Sequence, residues 1–256
     1  LSINVSGNNT LCEGQSTTLT ATGASTYSWS PSTGLNTTTG ATVSASPTAT
    51  TTYVVTGTAN GCSNSTTFVL NVNPNPVIQT SGDVDVCSGQ FVTLSASGAS
   101  NYSWSPSTAL NTTTGTTVVA NPTSTITYTV IGTDNGCSAS SSITVNVIAQ
   151  PVVNVSASTT SICNGQSATL TASGADTYTW SPSTGLNTTT GAIVIATPAT
   201  TTTYIVTGFV AGGCFSTNTI TINANTGGAA PAMPGLIAGN KKPCPTVNEN
   251  YSVALV

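Results

Sequence analysis

The sequence predicts an all-β chain built from tandem β-sandwich modules. Three observations carry that expectation. A unit of about 75 residues recurs three times, apolar and polar residues alternate at period two inside each unit, and no stretch shows helical periodicity.

The repeat is read from landmarks. Trp29, Trp104 and Trp180 stand 75 and 76 residues apart, and the same offsets relate Cys12, Cys87 and Cys163. Cys62, Cys137 and Cys214 follow nearly the same spacing. The longest literal copy, Trp-Ser-Pro-Ser-Thr-Gly-Leu-Asn-Thr-Thr-Thr-Gly, fills residues 29–40 and 180–191. It returns at residues 104–115 with Ala109 in place of one glycine.

The expected modules are therefore residues 1–74, 75–149 and 150–225. A Gly/Ala/Pro-rich stretch follows and reads as a linker at residues 226–233. Cys244, with Tyr251 seven residues beyond it as Leu19 stands beyond Cys12, opens a diverged fourth module at residues 234–256. That module is cut off before its tryptophan, which leaves Cys244 unpaired by truncation.

In module 1 the alternation places strands at Thr17, Leu19 and Ala21, then at Tyr27 and Trp29, then at Tyr53 and Val55, and last at Phe68, Leu70 and Val72. Asn60-Gly61 and Asn135-Gly136 are hairpin turn signals, and Pro31 and Pro47 interrupt the runs. About seven short strands per unit, with one tryptophan on a central strand, predict an immunoglobulin-like sandwich with Greek-key connections. Trp29, Trp104 and Trp180 are expected in the cores. Linkers such as Asn73-Pro74-Asn75-Pro76 and Ala149-Gln150-Pro151 are stiffened by proline, so the modules are expected to form an extended rod.

Composition narrows the function. Charged residues make up 3% of the chain, the net charge is −4, histidine is absent, and Lys241 and Lys242 are the two cationic side chains. Nucleic-acid binding needs cations to displace phosphate counterions, so that partner class is excluded. A hydrophobic content of 38% with little net charge argues for folding over disorder. No run of about 18 apolar residues suggests membrane insertion in this segment.

Six cysteines in three copies of one spacing, without histidine or a Cys-x-x-Cys pair, read as disulfides and not as a zinc site. Disulfides imply an oxidising, extracellular compartment. The simplest scheme closes each module on itself, pairing Cys12 with Cys62, Cys87 with Cys137 and Cys163 with Cys214. A rival scheme links neighbours, Cys12 to Cys137 and Cys87 to Cys214. The within-module scheme is the expected one, although a sandwich can place the two cysteines at opposite ends.

Catalysis would need a matched acid, base or nucleophile, and the carboxylates Glu13, Asp83, Asp85, Asp134, Asp176 and Glu249 do not recur at equivalent positions. No enzyme, cofactor or metal site is expected, and Asp83 with Asp85 reads as a pair of solvated carboxylates. The sequons at Asn8, Asn36, Asn64, Asn111, Asn154 and Asn187 are expected to be chance matches in a chain rich in Asn and Thr.

Each unit carries, in order, Cys-x-Gly-x-Ser-x-x-Leu-x-Ala, then Tyr-x-Trp-Ser-Pro-x-Thr-x-Leu-Asn, then Pro-x-x-Thr-x-Thr-Tyr-x-Val-x-Gly, and finally Gly-Cys. Phe91 is the one departure in the first motif. This pattern resembles the Ig-like and PKD-like repeats of large secreted proteins of Bacteroidota. The resemblance implies a stalk or spacer of a cell-surface adhesin, including gliding-motility adhesins, exported by the type IX route. Partners expected on this reading are neighbouring copies of the chain, as lateral filaments, or surface glycans. The alternatives are a carbohydrate- or ice-binding array, or an accessory region of a secreted hydrolase.

Overall fold

The computed structural model describes residues 1–163 and 165–225. The expected linker at 226–233 and the fourth module with Cys244 lie outside the described residues.

Module 1 contains β1 (Asn4–Ser6), β2 (Thr10–Cys12), β3 (Thr17–Thr22), β4 (Thr26–Ser30), β5 (Thr42–Ala45), β6 (Thr51–Ala59) and β7 (Cys62–Asn73). They form two sheets, ordered β1-β3-β5 and β2-β7-β6-β4. Leu19 and Ala21 on β3, Tyr27 and Trp29 on β4, and Tyr53 and Val55 on β6 alternate inward and are buried. Their opposite faces carry mostly Thr and Ser, with Val54 exposed on β6, which suits a strand with one solvated side. The core joins these side chains to Ile3, Leu11, Val43, Ala45 and Leu70.

Most pairings are antiparallel, but β2 runs parallel to β7, with Cys12 beside Asn73. An opening strand that serves one sheet through β1 and the other through β2 is the split found in immunoglobulin-like sandwiches.

Module 2 repeats the arrangement with β8 (Gln79–Thr80), β9 (Val84–Cys87), β10 (Val92–Ser97), β11 (Asn101–Ser105), β12 (Thr117–Ala120), β13 (Ile126–Asp134) and β14 (Cys137–Ile148). Its sheets are β12-β10-β8 and β11-β13-β14-β9. Module 3 has β15 (Asn154–Ala157), β16 (Ser161–Cys163), β17 (Ala168–Ser173), β18 (Thr177–Ser181), β19 (Ile193–Ala196), β20 (Thr202–Phe209) and β21 (Phe215–Asn225), in sheets β15-β17-β19 and β16-β21-β20-β18. Trp104 and Trp180 are buried as Trp29 is.

Hairpin chemistry follows the turn residues. Asn60-Gly61 and Asn135-Gly136 have both residues at positive φ, 51° and 77° in the first and 48° and 80° in the second. Two consecutive positive φ values match the right-handed twist of the flanking strands, so the register closes directly at Ala59 with Cys62 and at Asp134 with Cys137. In module 3 a longer loop with a 3-10 turn at Ala211–Gly213 takes that place.

By internal contacts the chain divides into two compact units. One comprises Leu1–Val84 and Phe91–Asn146, and the other comprises Asp85–Gln90 with the chain from Val147 onward.

Candidate functional site, the cystine joints

Cys12 is bonded to Cys137 and Cys87 to Cys214, with Cα separations of 5.5 and 5.6 Å. The within-module pairing expected from the sequence is therefore wrong, and the neighbour-linking scheme is the one present. The register supplies the reason. Cys12 pairs beside Asn73, the last residue of β7, whereas Cys62 is the first residue of that strand. Eleven residues at about 3.3 Å each separate them by roughly 36 Å, far beyond the roughly 7 Å that a disulfide spans.

Cys62, expected to be bonded, is an exposed free thiol. Cys163 is also disulfide-bonded.

In the first unit the joint around Cys12–Cys137 is reinforced by the linker. The Asn73 side-chain amide donates to the Asn135 carbonyl at 3.0 Å, and the Asn75 amide donates to the Glu13 carbonyl at 3.1 Å. The Glu13 N–H donates in turn to the Asn73 carbonyl at 2.9 Å. Each linker asparagine thus grips a different module, while the intervening Pro74 holds φ fixed.

In the second unit the residues around Cys87–Cys214 are differently built. The Ser88 N–H donates to the Ile148 carbonyl at 2.9 Å, and Phe209 and Phe215 pack with ring centroids 5.7 Å apart. The Ser216 hydroxyl donates to the Pro151 carbonyl, and the Asn218 amide donates to the Val153 carbonyl at 2.8 Å.

The literal copy around each tryptophan proves to be a self-bonded clasp. Trp29, Trp104 and Trp180 donate their indole N–H to the carbonyls of Gly40, Gly115 and Gly191, each at 2.9 Å. Asn36 accepts the Ser44 N–H on its side-chain oxygen at 2.8 Å, and Asn111 and Asn187 do the same with Val119 and Ile195 at 2.7 Å. Tyr53, Tyr128 and Tyr204 donate to the carbonyls of Thr33, Thr108 and Thr184, all at 2.7 Å. Ser30-Pro31, Ser105-Pro106 and Ser181-Pro182 are cis. The motif thereby satisfies its own polar groups, and the sequon asparagines at 36, 111 and 187 hold loops onto strands. Burial pushes the pKa of Tyr53, Tyr128 and Tyr204 above the ordinary tyrosine value.

The carboxylates are dispersed in structural bonds. Asp83 accepts the Thr144 N–H at 2.7 Å, Asp176 accepts the Ala211 N–H at 3.1 Å, and Asp134 accepts the Ser100 hydroxyl. Among the described residues, no group of three or more His, Cys, Asp or Glu side chains could hold a metal ion.

Sequence reasoning missed the bridging roles of Asn73 and Asn75. Asn73 aligns with Ile148 in module 2 and with Asn225 in module 3, and Asn75 aligns with Gln150, so neither asparagine runs through every module and no unbroken periodic signal exposed it.

No family model matches the chain, and no curated protein matches it. Among solved structures, the I67–I69 I-band fragment of titin is 15% identical, covering 88% of this chain and 98% of that one, with a TM-score of 0.48. The N-terminal eight Ig domains of Down Syndrome Cell Adhesion Molecule are 15% identical over 85% of this chain and 42% of that one, with a TM-score of 0.42. Extracellular domains 3–5 of Drosophila OTK are 12% identical over 85% and 94%, with a TM-score of 0.38.

The class is defined by the strand order itself. This is an all-β chain of tandem immunoglobulin-like sandwiches, cross-linked from one module to another by disulfides. Such bonds belong to an oxidising compartment.

Proposed function

We propose that the chain is a load-bearing spacer, the stalk of a secreted or cell-surface adhesin that holds a distal binding domain away from its anchor. The observation that carries this reading is that the two cystines overlap in sequence: Cys87 lies between Cys12 and Cys137, and Cys137 lies between Cys87 and Cys214.

Consider tension applied across the chain. With either bond intact, the covalent path from Cys12 to Cys214 shortens to one module's length of backbone plus the bond. An unravelled path is then limited to roughly 260 Å, against roughly 700 Å for the reduced chain. A catalytic or ligand-binding role needs no such redundancy, whereas a tether under intermittent pulling gains from it.

The resemblance to secreted Bacteroidota repeats supports a finer reading, in which the modules stand at the bacterial surface, are exported by the type IX route and serve gliding or attachment. Neighbouring copies and surface glycans are the partners that fit this reading.

Single-molecule stretching of the chain between handles at its two ends tests the proposal. The expected result is a total length gain on unfolding that rises severalfold when reductant is added. Equal gains in the oxidised and reduced states would overturn it.

A further inference from the structure

Cys62 opens β7 after the Asn60-Gly61 turn, as Cys137 opens β14 after Asn135-Gly136. The two turns share φ values within a few degrees, and each cysteine occupies the same register position across its hairpin. Cys137 and Cys214 are both bonded to a cysteine that ends the β2-type strand of the preceding module, and both are 1% exposed. Cys62 is free and exposed, and residues 62–65 of its strand are exposed as well. The same position is thus seen twice with its partner and once without.

We propose that Cys62 is the receiving thiol of a third joint. It takes the cysteine at the end of the β2-type strand of a further immunoglobulin-like module, placed ahead of module 1 and carrying that cysteine at the position of Cys12. The inference stands on cystine connectivity and goes beyond the load-bearing reading, so either can fail without the other.

The chemistry is thiol–disulfide exchange. The Cys62 thiolate attacks a small-molecule disulfide such as oxidised glutathione and expels one thiolate. The incoming cysteine's thiolate then attacks the Cys62 sulfur of the mixed disulfide and expels the second. Two protons leave the protein thiols, and two electrons reduce one glutathione disulfide to two glutathione thiols.

The experiment adds a copy of residues 1–75 ahead of Leu1 of the full chain, folds it in a glutathione redox buffer and maps the disulfides by mass spectrometry. The expected product joins the added copy's Cys12 to Cys62 in most molecules, with Cys12–Cys137 and Cys87–Cys214 retained. A companion chain carries Cys12→Ser and Gly14→Cys in the added copy, and its cross-linking to Cys62 is expected to be at least tenfold lower. Should the first chain fail to fold, a copy of residues 75–149 in the same place offers Cys87 instead. The proposal is overturned if Cys62 stays free in both extended chains, if it bonds between separate chains instead, or if the displaced cysteine bonds equally well.

Discussion

Cys12 lies beside Asn73 in the parallel pairing of β2 with β7, and that register decides which cysteine it can reach. It puts Cys12 at the end of module 1 that meets Cys137, and puts Cys62 at the far end.

Replacing Cys12 by serine is therefore expected to free Cys137 and leave Cys62 as it was, so that one thiol more titrates than before. The bond closes a loop of 125 residues, which in the chain-entropy account contributes about 5 kcal/mol. The urea midpoint of the first unit should fall accordingly, while Cys87–Cys214 survives in a non-reducing peptide map. Spontaneous pairing of Cys62 with Cys137 in this variant would contradict the register argument.

The tryptophan clasp makes a second prediction. Trp29→Phe keeps an aromatic ring in the core but removes the donor to the Gly40 carbonyl. The lost bond, the orphaned acceptor and the smaller ring together are expected to cost about 2 kcal/mol. Trp104→Phe and Trp180→Phe, with the same 2.9 Å geometry, should cost about the same in their own modules. A cost near zero by urea unfolding would show that the clasp contributes no stability.

Ala109 departs from the copied motif at a position where the chain adopts a φ of 59°, while its counterparts Gly34 and Gly185 sit at 71° and 72°. An L-residue with a β-carbon is disfavoured there by about 1 kcal/mol. Ala109→Gly should therefore stabilise module 2 by about that amount. The reverse change, Gly34→Ala, would also bring a β-carbon within 2.5 Å of the Pro47 nitrogen and should cost more. Differential scanning calorimetry of both variants reads the two signs directly.

These contrasts show which features were legible in the sequence. Strands around Leu19, Tyr27, Trp29, Tyr53 and Leu70 were readable because period-two burial is a local property of one face. Asn60-Gly61 was readable because two successive positive φ values restrict the residue choice. Cystine pairing was not, since alternation reports which face a residue occupies and not which end of a strand lies near a neighbouring module. Phe68 and Val72 fit the alternation yet are only half-buried, because β7 contributes a single fully buried side chain, Leu70. The clasp escaped for another reason: its bonds join tryptophan, asparagine and tyrosine side chains to backbone groups whose positions no composition rule reveals.

Alkaline pH gives the last prediction. Burial raises the pKa of Tyr53, Tyr128 and Tyr204, so the folded state favours the neutral phenol more than the unfolded chain does. A raised folded pKa means that the contribution is fully present below the unfolded value of about 10 and is lost as pH rises through the folded value. With Cys62 alkylated to prevent disulfide exchange, melting temperature should hold steady from pH 8 to about 9.5 and fall steeply above about 10. Tyr53→Phe should lower stability at pH 8, because the bond to the Thr33 carbonyl is lost, and should flatten the alkaline fall in module 1. A fall of unchanged steepness in the triple phenylalanine variant would place the alkaline sensitivity elsewhere than in these three phenols.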